Sequence, residues 1–280
     1  MISILLASLI TLNGAGGSFP APLYQKWTYQ YSQAHEEVNV NYQSVGSSAG
    51  IKQIKAGTLD FAGTDAPMSD EDLKKEGIAQ FPMVAGSVVP IVNLPGVASG
   101  KLVLSGEIVA DIFRGEIRVW NDPRIKALNP ELKLPKLPIT VVHRGDGSGT
   151  TFVWTSFLSR VSEKWASEIG SGAIVTWPVG LAGQKNPGVC GMVSRVKGSI
   201  GYTELTYALE AKIPVATIPN EKVLGLTYLL IRDDLAPRKR AALNEYVRWC
   251  FDFGGKTAEE LNYIPLEKSE VDLIKTTYLK

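Results

Sequence analysis

Residues 46–50 read Gly-Ser-Ser-Ala-Gly. This matches G-x-S-x-G, the elbow on which many hydrolases raise a nucleophilic serine, here Ser48. The flanks suit such an elbow. Val38, Val40 and Tyr42 alternate as in a strand, and Ile51 and Ile54 begin a helical face. The chemistry needs an acid and then a histidine downstream. The chain has two histidines, and only His143 follows. It falls far before the C-terminal region where that fold supplies its base, and a cation beside it, Arg144, disfavours an imidazolium.

The same strand–turn–helix device occurs three times. Asn13–Pro20 is glycine-rich and ends in Ser18-Phe19-Pro20. Gly46–Gly50 is the second, and Arg144–Thr151 (RGDGSGTT) the third. The first N–H groups of a helix have no partner inside it, and the helix dipole adds about half a positive charge there. Small residues let an anion approach that backbone, and Ser and Thr hydroxyls add donors. For any one such turn, a plain helix cap is the simpler account. Three of one type, with Arg144 beside the third, point to a shared anion site. The guanidinium can fork onto two oxygens of a tetrahedral anion. Asp146 either pairs with Arg144 or stabilises its own turn. No turn has the lysine of a P-loop, and the first lacks the last glycine of a dinucleotide fingerprint.

Asp65, in Gly63-Thr64-Asp65-Ala66-Pro67, is a carboxylate near a supposed anion site. An ionised carboxylate only accepts hydrogen bonds, so it suits an anion that keeps a proton, as phosphate does near neutral pH and sulfate does not. A turn aspartate before Pro67 is an equal alternative.

The elements that must hold these residues alternate, which argues an α/β fold. Strands are expected at 8–12, 38–42, 59–62, 87–92, 139–143 and 226–231. Helical faces run through Leu23, Trp27 and Tyr31 and through Val153, Phe157 and Val161. Ser69 opens a capped helix, and a long helix spans about 237–254. The 280 residues are 45% hydrophobic and 20% charged, with formal net charge +1. That excludes a broad basic face for nucleic acid. No His/Cys spacing suits a metal, and no cofactor is expected. Cys190 and Cys250 lie in apolar surroundings and read as buried free thiols rather than a disulfide. Residues 1–10 are apolar but too short to span a membrane. They read as a truncated export signal, over residues 1–7, running into a first strand.

Three stretches carry a resemblance: GAGGSFPAPLYQKW, NYQSVGSSAGIKQIKAGTLDFAGTDAPMSD and HRGDGSGTTFVWTSFL. With WPVGLAGQKNPGV and GSIGYTE they closely resemble the phosphate-binding proteins of the bacterial high-affinity phosphate ABC transporter, the PstS family. The likeness covers about residues 10–209, and the C-terminal strand and helix more loosely. It implies a type II periplasmic-binding-protein fold, with two α/β lobes, a ligand cleft and two hinge crossings. The lobes would be 1–85 plus 226–280, and 86–225. It implies capture of inorganic phosphate without catalysis and delivery to a membrane permease, by an extracytoplasmic monomer. A sensor or scavenger without a transporter is the alternative, and the Ser48 hydrolase a remote one. The implied ligand contacts are Ser18 and Phe19 (through N–H), Ser47, Asp65, Arg144, Ser148, Gly149 and Thr150, with Asp146 supporting Arg144. Ser18 and Ala49 replace the Thr and Gly of many relatives, keeping the donor and the small size. The segment 217–223 is shorter than in many of them.

Overall fold

The computed structural model describes residues 9–279. The export-signal reading of residues 1–7 lies outside them. In chain order the elements are β1 (Ile10–Gly16), α1 (Ala21–Ala34), β2 (Val38–Ser44), α2 (Ser47–Lys55), β3 (Phe61–Thr64), α3 (Asp70–Glu76), β4 (Ile78–Val92), α4 (Gly106–Phe113) and α5 (Pro123–Leu128). Then come β5 (Thr140–Arg144), α6 (Gly149–Val161), α7 (Glu163–Glu168), β6 (Leu181–Gly183), α8 (Lys185–Arg195), β7 (Ser199–Glu204) and α9 (Leu205–Glu210). The chain closes with β8 (Leu224–Arg232), α10 (Pro237–Phe253), α11 (Gly255–Glu260), β9 (Ile264–Pro265) and α12 (Lys268–Tyr278). Contacts divide it into two compact units. Unit 1 holds the residues up to Val45, Ala49–Ala85 and those from Leu226 on; unit 2 holds Gly46–Ser48 and Gly86–Gly225.

In unit 1, β1 pairs in parallel with β2 on one side and β3 on the other, and β3 pairs antiparallel with β8. The parallel strands end together at Gly16, Ser44 and Thr64, so the following turns share one sheet edge. Such a carboxyl edge is where open α/β sheets bind ligands. α1 buries Leu23, Tyr24, Trp27 and Tyr31, the face that its i, i+4 spacing sets. The Trp27 indole N–H donates to the Gly254 carbonyl, 3.0 Å away, which ties α1 to the end of α10. Ile54, Ala62, Met68, Ile78 and Leu230 form a buried cluster under α2 and α3. Each of its Ile, Met and Leu side chains contributes about 1.5–3 kcal/mol by leaving water. Ser69 caps α3, its hydroxyl accepting from the Asp72 N–H.

In unit 2, β5 pairs in parallel with β6 and β7, and β7 pairs antiparallel with residues 88–92 of β4. Ile91, Val142, Val189, Val193, Ala208 and Ile213 pack between this sheet and α8 and α9.

Three strands differ from the sequence expectation, β3 by two residues (Phe61–Thr64 rather than 59–62). The first runs over Ile10–Gly16 rather than 8–12, so Asn13–Gly16 is strand and the turn proper is 17–20. Pairing on both edges carries it through its glycines, and a Cβ at Gly14 would lie 2.1 Å from the Phe61 ring. β4 begins at Ile78, not 87. Pro82 and Gly86 weaken its signal. The strand persists because its first half pairs with β9 and its second with β7.

Candidate anion-binding site

The residues expected to bind the ligand form two groups, one in each unit. In unit 1, Ser18, Phe19 and Asp65 are 1%, 0% and 2% exposed. The turn between β1 and α1 has its carbonyls tied. The Tyr42 hydroxyl donates to the Gly17 carbonyl at 2.9 Å, and the Ala21 N–H to the Ser18 carbonyl at 3.3 Å. Because each peptide is planar and trans, the N–H of the following residue points the opposite way. The N–H groups of Ser18 and Phe19 are thus aimed away from those partners. Gly17 N–H donates to the Gly63 carbonyl at 2.8 Å, and the Tyr263 hydroxyl to the Phe19 carbonyl at 2.7 Å. Close approach fixes the glycines here. A Cβ at Gly16 would meet the Gly63 oxygen at 2.1 Å, and one at Gly50 the Gly16 Cα at 2.6 Å. Asp65 follows β3, whose last residue is anchored: Thr227 Oγ1 donates to the Thr64 carbonyl and Thr64 Oγ1 to that of Ala66.

In unit 2, Arg144 ends β5 and is 3% exposed. Its Nε and Nη2 donate to the two oxygens of Asp146, at 2.8 and 2.5 Å, and its Nη1 donates to Asn186 Oδ1 at 3.2 Å. These bonds use three of the five guanidinium N–H groups. One hydrogen on each terminal nitrogen is left, aligned by the fork that Asp146 holds. Asp146 also accepts from the Lys185 N–H, at the start of α8, at 2.9 Å. Burial alone would raise its carboxyl. The Arg144 bonds and charge and the Lys185 N–H outweigh that and hold it below the usual carboxylate range.

The 13-residue α6 begins beside this pair. Ser148 Oγ caps it, accepting from the Thr151 N–H at 3.0 Å. The Gly149 N–H donates to Ser47 Oγ at 3.1 Å, and the Ser48 N–H to the Gly147 carbonyl at 3.2 Å. Two of the expected ligand donors, Ser47 and Gly149, therefore meet each other. The hydroxyl of Ser148, accepting one bond, keeps a proton to give. Thr150 is 0% exposed, and its Oγ1 has no hydrogen-bond partner. A buried hydroxyl left unmatched costs about 1–3 kcal/mol. The packing demands glycine at 147, where a Cβ would lie 2.1 Å from Ser48 Oγ.

Sequence reasoning missed three partners of this group: Asn186, Thr151 and Tyr202. Asn186 lies in the WPVGLAGQKNPGV stretch and Tyr202 in GSIGYTE, so the resemblance reached both without giving either a role. His143 does not serve Ser48. Its ring stacks on Trp177 at 4.9 Å and its Nδ1 faces the Arg144 carbonyl at 3.0 Å. Among the described residues no hydrogen bond joins it to Ser48. Burial pushes its pKa down, only partly offset by the Arg144 carbonyl. Among the described residues no group of His, Cys, Asp and Glu is placed to hold a metal ion. Nor is any helix long and apolar enough to cross a membrane.

The PBP superfamily domain model matches residues 7–270. The phosphate-binding protein PstS of Xylella fastidiosa is 38% identical, over 95% of this chain and 84% of that protein. Among solved structures, a high-affinity periplasmic phosphate-binding protein (PfluDING) bound with phosphate superposes with a TM-score of 0.76 at 17% identity, covering 97% of this chain and 94% of that one. An ABC-type phosphate transport receptor from Vibrio cholerae gives a TM-score of 0.63 at 18% identity, over 91% of this chain and all of that one. The two structures share the fold, and it is the sequence match that defines the kinship. The chain belongs to the phosphate-binding protein PstS family, within the PBP superfamily.

Proposed function

We propose that this chain captures inorganic phosphate reversibly, outside the cytoplasm, and delivers it unchanged to the permease of a phosphate ABC transporter. One observation carries the reading. A buried guanidinium, held by Asp146 and Asn186 with two N–H groups to spare, stands beside a helix N-terminus whose Thr150 hydroxyl is unmatched. That is a receptor for a tetrahedral oxyanion. The relatives are phosphate-binding proteins, which supplies the anion, and PfluDING is a periplasmic one, which supplies the compartment.

In this reading the phosphate ligands are those the family resemblance implies: Ser18, Phe19, Ser47, Asp65, Arg144, Ser148, Gly149 and Thr150, with Asp146 fixing Arg144. Burying an isolated anion costs tens of kcal/mol by Born estimates, so nearly every phosphate oxygen must be bonded. Charge-assisted hydrogen bonds return about 1.5–3 kcal/mol each, and several of them offset the cost. Asp65 accepts the phosphate P–OH and repels an anion that has none. No atom of phosphate is transferred, so no nucleophile or base is required, and the protein works as a monomer. Calorimetric titration with phosphate and with sulfate tests this. Phosphate is expected to bind much more tightly; equal binding of the two would remove the basis for the role of Asp65.

A further inference from the structure

The hydroxyl of Tyr202 joins the two backbone segments that present the unit 2 donors. Tyr202 lies on β7 and is fully buried. The ladder between β5 and β7 runs from Thr140 opposite Ser199 to Val142 opposite Gly201 and stops there. Gly145 N–H donates to Gly183 on the β6 side. Backbone N–H groups alternate sides along a strand, so that of Arg144 faces β7 beyond the last ladder pair. There the Tyr202 phenol is its partner: Arg144 N–H donates to its oxygen at 3.2 Å. The same oxygen lies 2.6 Å from Thr151 Oγ1, in the first turn of α6, where either hydroxyl can be the donor. Burial pushes the phenol up to about 12 despite these bonds, so it stays protonated. The ring stacks on Trp154 at 5.3 Å and Trp177 at 5.8 Å and has no room to swing away.

We infer that Tyr202 is a positioning residue: its hydroxyl latches the end of β5 to the start of α6 and so sets the Arg144 guanidinium against the N–H and hydroxyl donors of residues 148–150. Asp146 fixes where the guanidinium points, and Tyr202 fixes where its backbone stands. The consequence for phosphate rests on the function proposed above; the latch itself does not.

Two readouts separate them, both on the full chain. Tyr202→Phe keeps the ring stack and removes the hydroxyl. Thr151→Val keeps the shape and removes the other half, and Thr151→Ser restores it. Without phosphate, amide hydrogen exchange at Arg144 is expected to quicken about fivefold in Tyr202→Phe, the scale of one lost hydrogen bond. Unchanged exchange there would overturn the latch. In calorimetry with inorganic phosphate, Tyr202→Phe and Thr151→Val are each expected to weaken binding about tenfold, as supporting residues behind a ligand shell typically do. Thr151→Ser should bind nearly as the parent does, and the double variant no worse than the weaker single one. Parental affinity in Tyr202→Phe, equal weakness of Thr151→Ser and Thr151→Val, or losses that multiply would each overturn the positioning role. If the parent protein binds no phosphate, the functional reading falls, and the exchange result still decides the latch.

Discussion

Replacing Asp146 by Asn tests the electrostatic design of the site most sharply. Three donors address the carboxylate: Arg144 Nε and Nη2, and the Lys185 N–H. In the variant the remaining oxygen can still accept from Arg144 Nε and Lys185. The new amide then faces Nη2 donor to donor. One charge-assisted bond is lost, about 1.5–3 kcal/mol. The Arg144 side chain, 1% exposed, also loses its counter-charge. Breaking a fully buried pair costs about 3–5 kcal/mol. The Asp146 side chain is 17% exposed, and water can soften the loss, so about 2–3 kcal/mol is expected. For a chain of this size that corresponds to a melting temperature lower by roughly 5–10 °C. The effect has a pH signature. The folded-state pKa of Asp146 is depressed, so its contribution is complete above the ordinary carboxylate value of about 3.9 and is lost as pH falls through the lower folded value. The gap between parent and variant should therefore be full at pH 7 and shrink below about pH 4. Thermal melts followed by circular dichroism from pH 7 to pH 3 measure it. A variant melting within about 1 °C of the parent at neutral pH, or a gap that widens in acid, would refute the reasoning.

Three further outcomes are expected. Thr150→Val removes an unmatched buried hydroxyl, so the ligand-free protein should melt no lower than the parent while phosphate affinity falls about tenfold; calorimetry and melting together show these opposite signs. Asp65→Asn should narrow the preference for phosphate over sulfate in competitive titration, because the amide can donate to an anion that has no proton. Burial pushes the Cys190 thiol up to about 11 and that of Cys250 up further, and both are free; a thiol reagent at pH 8 should label the native protein slowly and find two thiols after unfolding.

What the sequence made legible was local. The i, i+4 spacing of Leu23, Trp27 and Tyr31 placed α1, and Ser69 placed the start of α3, because caps and faces are encoded within a few residues. The glycine and hydroxyl turns were visible for the same reason. The G-x-S-x-G match misled because it describes a turn and not its partners, and His143 turned out to stack on Trp177. The supports of Arg144 were hidden by distance along the chain. Asn186 is 42 residues away and Tyr202 is 58. A tyrosine in a strand and an asparagine early in a helix carry no local mark of what they hold. Strand β4 was half missed for a related reason: Pro82 and Gly86 speak against a strand locally, and pairing with β9 overrides them.

Asp65 and Arg144 are proposed to hold the same phosphate. A crystal structure of the protein grown with phosphate tests this directly. A single phosphate is expected, with one oxygen within hydrogen-bonding distance of Asp65 and others on Arg144 and on the Thr150 hydroxyl. Phosphate bound at Arg144 without Asp65, or bound away from both, would contradict it.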